Sequence, residues 1–180
     1  MDIGSLLKGG GVDRAFNNAL REKNRELADF LIKYIKDPFL LLDYALVFNE
    51  KLKPEFEDII AKDKDASLGY AVDVLEGPFP KGEDVMAQDL YTAYHYAADA
   101  LKGPFPKGEP IISQFPYSSY YYAKDVLHDR FPKGEKAIID SKGRVWEYET
   151  DDYLTLYVEF LKSINKLDEF LKDHPEVKIN

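Results

Sequence analysis

Side chains that attack, transfer protons or ligate metals are scarce in this chain. It has no cysteine and three histidines, His95, His128 and His174. Without cysteine there are no disulfides, thiolate nucleophiles or Cys-containing zinc sites. The histidines lie 33 and 46 residues apart, far from the i,i+4 spacing that sets two ligands on one helix face. No metal site built from histidine is expected, and no cofactor. Ser118, Ser119 and Ser141 have no adjacent base to mark a nucleophile. Lys8-Gly-Gly-Gly11 lacks the spacing of a P-loop, and Gly77-Pro-Phe-Pro-Lys-Gly82 puts prolines where a phosphate cradle needs backbone amides. Both read as turns.

Carboxylates are the exception to this scarcity. Asp and Glu number 33 against 24 Lys and Arg, a net charge of −9, which opposes attraction to nucleic acid or to an anionic membrane. A glycosidase-like pair is compatible with such a supply. Most of the acids recur at regular intervals, however, and an active site needs an asymmetry that a repeat does not provide. The irregular cluster Glu147, Glu149, Asp151 and Asp152 could hold a divalent cation weakly, in a metal-dependent hydrolase reading. The same acids could equally compensate the dipole of a following helix. The most apolar window, Phe39 to Phe48, is interrupted by Asp43 and falls far short of the ~20 residues that span a bilayer. The N-terminus has no apolar stretch of secretory length. A soluble, cytoplasmic protein is expected.

The regular acids belong to a repeat. Tyr70-Ala-Val-Asp-Val-Leu-Glu-Gly-Pro-Phe-Pro-Lys-Gly-Glu83 returns as Tyr96 to Glu109 and again as Tyr122 to Glu135, each time after 26 residues and without a gap. Tyr44-Ala45, Pro54 and Glu57 mark a degenerate earlier copy. After Glu135 the phase breaks, and the next Tyr-x-x-x-x-Leu pattern, Tyr157 to Leu161, arrives nine residues late behind an insertion containing Trp146. Each copy reads as two short helices. Pro80 suits a first helical turn. Asp37, Asp63 and Asp89 suit N-caps, and Gly77, Gly103 and Asp129 suit left-handed C-terminal caps.

The sequence therefore predicts an all-α fold, an α-α solenoid of short helix pairs with capping helices at both ends. Residues 1–11 form a flexible N-terminus, and 12–174 form one helical-repeat domain. Within that domain lie a capping helix at 12–36, repeats at about 37–140, an insertion at 141–150 and a capping helix at 151–171. The first cap shows Leu27, Phe30, Leu31, Tyr34 and Ile35 at helical spacing; the last is entered through Thr150 as N-cap. Residues 175–180 form a loose tail, and Arg144 to Tyr148 could be a short extended piece.

A wheel at 100° per residue places Leu68, Tyr70, Ala71, Val74 and Leu75 on a core face. Opposite them fall Ala66, Gly69, Asp73 and Glu76, whose equivalents are Thr92, His95, Asp99 and Lys102, then Ser118, Tyr121, Asp125 and His128. The Asp is constant in these outer columns and the position before it varies, as on a recognition surface, although surface drift would give the same pattern. The columns Tyr70/Tyr96/Tyr122 and Phe79/Phe105/Phe131 fill seams between repeats, each hydroxyl finding a polar partner. Tyr91, Tyr94, Tyr117, Tyr120, Tyr121 and Tyr122 exceed what those seams require, so some are exposed and suited to an interface. The candidate binding residues are Asp73, His95, Asp99, Tyr117, Tyr121, Asp125 and His128. A second reading is an acidic mimic of nucleic acid that blocks a DNA- or RNA-binding enzyme. In it Glu57, Glu83, Glu109 and Glu135, beside the Asp column, imitate phosphates at the about 8–10 Å spacing of stacked helices. Lys81, Lys107 and Lys133 largely neutralise the Glu column.

The 26-residue unit resembles a family of short helical repeats found in proteins of large tailed bacteriophages, with the pattern Pro-Glu-x-Glu-x-x-Ile-x-x-Asp-Pro-x-x-Ala-x-x-Tyr-Ala-x-x-Val-Leu-x-x-Arg-Phe. The copy ending Tyr122-Ala-Lys-Asp-Val-Leu-His-Asp-Arg-Phe131 is nearest; Gly77-Pro-Phe79 and Gly103-Pro-Phe105 carry Pro where Arg is usual. The match covers about residues 38–140. The resemblance implies a repeat fold and a phage origin, with the host cytoplasm as location, and no uniform activity. The expected function is a non-enzymatic binding module for a host or anti-phage defence protein, without direct contact to nucleic acid or membrane.

Overall fold

The computed structural model describes residues 11–142 and 152–179. Among them every regular element is helical and none is a strand. The chain gathers into two compact units, Met1–Met86 and Ala87–Asn180. Unit one holds α1 (Gly11–Arg21), α2 (Arg25–Leu31), α3 (Pro38–Phe48), α4 (Pro54–Ile60), α5 (Lys64–Gly69) and α6 (Glu83–Met86). Unit two holds α7 (Leu90–His95), α8 (Glu109–Ile112), α9 (Pro116–Tyr121), α10 (Pro132–Asp140), α11 (Tyr153–Ser163) and α12 (Leu167–Asp173). No helix among the described residues is long and apolar enough to cross a membrane.

The helix starts follow the sequence signals. Asp37 accepts from the amides of Phe39 and Leu40, Asp63 from Asp65 and Ala66, and Asp89 from Thr92, each satisfying amides that the first turn leaves open. The third copy has Phe115 at this position, with no side-chain cap and Pro116 opening the helix.

The helix ends are less regular than a wheel assumes. From each repeat Tyr onward α5, α7 and α9 widen into π-helical stretches, Tyr70–Leu75, Tyr96–Leu101 and Tyr122–Leu127. π-helix is rare in proteins at large, so its return at one position of each copy belongs to the repeat itself. Each stretch closes on a left-handed residue, Glu76, Lys102 or His128, at φ 48–51°. The amide of the next residue then bonds back to Ala71, Ala97 or Ala123. The left-handed caps expected at Gly77, Gly103 and Asp129 thus sit one position earlier, because the extra residue in the π turn advances the point of closure.

That extra residue also corrects the outer columns. Ala66, Thr92 and Ser118 were placed beside Asp73, Asp99 and Asp125 by an α-helical wheel, yet all three are buried. The π stretch begins between the two columns and rotates the later positions relative to the earlier ones. Tyr70 and Ala71 are buried as expected, while Leu68, Val74 and Leu75 are half-buried.

One set of contacts recurs wherever a repeat seam lies within a unit. In unit one the Tyr70 hydroxyl accepts from the Leu52 amide at 2.8 Å and donates to Glu57 at 3.2 Å. In unit two Tyr122 accepts from Phe105 at 2.8 Å and donates to Glu109 at 3.3 Å. Tyr157, nine residues late in sequence, accepts from Phe131 at 3.0 Å and donates to Glu135 at 2.9 Å, so it is the structural equivalent of Tyr122. Lys81 reaches Glu57 at 3.2 Å and Lys133 reaches Glu109 at 2.6 Å. The phenylalanines close each seam, Phe79 on Tyr70, Phe105 on Tyr96 and Phe131 on Tyr122, with ring centroids 5.1, 4.9 and 4.9 Å apart. Gly82, Gly108 and Gly134 allow the helices this close, since a Cβ there would lie 2.7, 2.9 and 2.6 Å from the Cβ atoms of Ser67, Ala93 and Ser119.

The later half of the Glu column is therefore internal, while Glu57 and Glu83 are half-buried. Glu109 is 9% exposed and Glu135 1%, against the expectation of an outer ladder. A buried carboxylate must be paired, and the repeat supplies the partners.

The two ends are each broken where one helix was expected. Lys23, at φ 52°, separates α1 from α2, and a single 3-10 turn, Ile32–Tyr34, follows. Leu31 and Ile35 are buried but Phe30 is 44% exposed. Asn165, at φ 59°, divides the last helix into α11 and α12. The N-cap of α11 is Asp152, which accepts from Leu154 and Thr155. Thr150 and Asp151 lie outside the described residues, as do residues 1–10, the Arg144 to Tyr148 segment, Trp146, Glu147 and Glu149. Residues 175–179 carry no helix.

Candidate functional site

Five of the seven candidate binding residues come together in unit two. α7 carries His95 and its π stretch Asp99; α9 carries Tyr117 and Tyr121 and its π stretch Asp125; the two π stretches touch. His95 Nδ1 lies 2.8 Å from Asp99 Oδ2, an i,i+4 pair, and its ring packs on Tyr91 and Tyr94 at centroid distances of 4.3 and 5.4 Å. Tyr121 packs on Tyr117 at 4.8 Å and on Tyr120 at 4.9 Å. Tyr153 of α11 meets Tyr117 and Tyr120 at 6.0 and 6.2 Å.

Exposure varies sharply within this cluster. Tyr91 is 63% exposed and Tyr117 48%, whereas Tyr120 is buried and Tyr94 and Tyr121 are half-buried. Tyr122 belongs wholly to the seam. Burial, and then the nearby Asp125 carboxylate, push the Tyr94 hydroxyl up to about 12, with Tyr117, Asp99 and Tyr121 acting in the same direction. Lys124 lies over the rings of Tyr120 and Tyr121, 5.5 and 5.8 Å from their centroids. Sequence reasoning counted Tyr91 among the surplus tyrosines without placing it in the candidate set, and missed Lys124 as a member of this face. Their i,i+4 relation to His95 and i−3 relation to Tyr121 was the available signal.

The other two candidates stand apart. His128 closes the π stretch after α9, with Nδ1 2.8 Å from the Lys124 carbonyl; that contact fixes the proton on Nδ1, which must donate. Asp73 is exposed in unit one. Its neighbour in the varying column, Gly69, lies against Leu42, whose Cδ2 would stand 2.8 Å from an added Cβ and would have to shift.

Two charged clusters lie away from this face, and both are internally matched. In unit one a cleft of about 450 Å³ is lined by Arg25, Asp29, Tyr44 and Glu50 among others. Arg25 is shared between Glu50, at 2.7 and 2.9 Å, and Asp29, at 3.0 Å, and the Tyr44 hydroxyl donates to Asp29 at 2.5 Å. In unit two Glu135 receives Arg130 in a two-point contact at 2.8 Å, His174 Nε2 at 2.9 Å and the Tyr157 hydroxyl. Burial pushes the Glu135 carboxyl up, but these three donors outweigh it and hold it below its usual value. In both clusters the carboxylates are paired within the chain. Among the described residues no three His, Asp or Glu side chains are grouped to hold a metal. Asp152, from the acidic run, spends its oxygens capping α11 and bonding Thr155.

Comparison with protein-family models, with curated proteins and with solved structures finds no match to this chain.

Proposed function

We propose that this chain is a non-enzymatic α-α solenoid of 26-residue repeats that binds a protein partner through the tyrosine-rich face of unit two. The observation that carries the reading is the pair of well-exposed rings, Tyr91 and Tyr117, the second standing on a helix that continues into Tyr122, which the Tyr–Glu–backbone seam locks in place. Rigid, exposed tyrosine gives contact area at small entropic cost and is favoured at interfaces. In this reading α1 and α2 cap one end of the repeats and α11 with α12 the other. Phe170 packs on Tyr157 at 5.6 Å and His174 reaches Glu135, supplying what a following repeat's Phe and Lys would supply.

The resemblance to phage repeats suggests the partner, a host or anti-phage defence protein whose activity is blocked by occupation of its surface. The rest on which this stands is analogy of fold and source. Nucleic-acid mimicry loses half of its Glu column, since Glu109 and Glu135 are buried and paired.

The test changes His95→Ala, Tyr121→Ala and Asp125→Asn together and compares partners captured from bacterial host lysate. The expected result is a partner held by the parent and released by the variant, with thermal stability kept within a few degrees. A parent that captures nothing, or a variant that holds every partner with unchanged affinity, refutes the proposal.

A further inference from the structure

The tyrosine-rich face also specifies what it would hold. We propose that it takes an arginine-bearing segment of the partner protein, the guanidinium stacking on Tyr117 or Tyr91 and pairing with Asp125. This rests on the binding-module reading and narrows it to one partner chemistry.

Three observations converge. The first is the supply of open rings and open carboxylates on two helical runs that touch, with Asp125, Asp99 and Tyr117 all near enough to act on the Tyr94 hydroxyl. Tyr91 and Tyr117 are exposed, and Asp125 is exposed and makes no hydrogen bond or ion pair among the described residues. Asp99 spends one oxygen on His95 and keeps half its side chain in solvent. A ring's negative face attracts a cation, and a carboxylate beside it adds a second, directional contact. The second is that the face already holds a cation from its own chain, since Lys124 lies over Tyr120 and Tyr121. The third is the net charge of −9, which steers a basic segment inward and keeps phosphates away.

Arginine fits better than lysine because its planar fork can stack on a ring and still present two parallel N–H groups to a carboxylate. Other charges on these two helical runs are His95, Lys102, Lys124 and His128. Lys102 and His128 sit at the closing turns, so Lys124 is the cation that an incoming guanidinium would meet.

The test uses the full chain and short peptides, Gly-Arg repeats against the same peptide with Lys or with Glu, and a single-stranded oligonucleotide. Titration is followed by the tyrosine ring resonances. The arginine peptide is expected to bind most tightly and to move Tyr91 and Tyr117. Asp125→Asn and Tyr117→Ala should each weaken it by about three- to tenfold, the scale of one exposed cation–ring or charge contact. Lys124→Gln should tighten it. Asp73→Asn, the same charge loss on unit one, should leave it unchanged. Equal loss from Asp73→Asn would show net charge alone at work and overturn the proposal, as would equal binding by the glutamate peptide or the oligonucleotide. No peptide binding overturns the arginine chemistry too. A partner still released by changing His95, Tyr121 and Asp125 would leave the binding-module reading standing.

Discussion

Replacing Tyr122 with Phe removes one oxygen and tests what holds a repeat seam. The ring stays in place, fully buried and packed on Phe131 at 4.9 Å, so the loss is confined to two hydrogen bonds. The Phe105 amide, 2.8 Å from that hydroxyl, is left buried without an acceptor, which costs about 1–3 kcal/mol. The longer bond to Glu109, 3.3 Å, contributes less, because Lys133 at 2.6 Å still pairs the carboxylate. Tyr122→Phe should therefore destabilise unit two by about 2–3 kcal/mol. In urea, at an m-value of about 1–3 kcal/mol/M, the midpoint falls by about 0.7–3 M. Tyr117→Phe, on an exposed ring, is the control and should stay within about 0.5 kcal/mol of the parent. If Tyr122→Phe behaved like the control at unchanged m, the Phe105 amide would have another acceptor, and the hydroxyl-centred account of the seam would be wrong.

Gly108→Ala should destabilise by about 1–3 kcal/mol, because the new methyl meets Ala93 at 2.9 Å and the packed Phe105 ring; Gly103→Ala, whose Cβ meets only the Leu101 carbonyl at 3.8 Å, should cost far less in the same urea titration. Lys102→Gly should raise thermal stability by about 1 kcal/mol by relieving a left-handed residue at φ 51°. Glu135 has its carboxyl held below the usual value, so its pairing stabilises above the unfolded-state pKa and is lost as pH falls through the lower folded one. Glu135→Gln should cost about 3 kcal/mol near neutral pH, and urea midpoints in acid should show that difference shrinking. Burial raises Tyr70 and Tyr122 to about 12; the stability this represents is complete below about pH 10 and lost as pH climbs through about 12, so tyrosinate absorbance should rise together with loss of helical circular dichroism.

What could be read from the sequence was whatever recurs. The 26-residue offset located the buried Tyr and Phe columns, and Asp37, Asp63 and Asp89 announced their helices because capping is chemistry between near neighbours. The nine-residue delay before Tyr157 was legible too, and the bond to Glu135 gives it meaning. The fate of Ala66, Thr92 and Ser118 was hidden, because a wheel assumes one constant turn and the π stretch that begins at each repeat Tyr changes it. The inward turn of Glu109 and Glu135 was hidden for a different reason. A Glu in a charged motif looks like surface until the Tyr hydroxyl, Lys133 and Arg130 that pay for its burial are seen in space. At the site, the tyrosine surplus pointed to the right helices, but which rings were spare depended on packing by Tyr153, far along the chain.

The seam bond has a genealogical consequence. Tyr122 reaches back 13 residues to Glu109 and Lys133 reaches back 24 to the same Glu, so a tandem duplication of 26 codons brings along both the donors and the acceptor it requires. Copy number can then grow or shrink by unequal crossing-over without any contact having to be reinvented. Tyr157 shows that the same bond also forms at a longer spacing, since its hydroxyl reaches Glu135 across 22 residues.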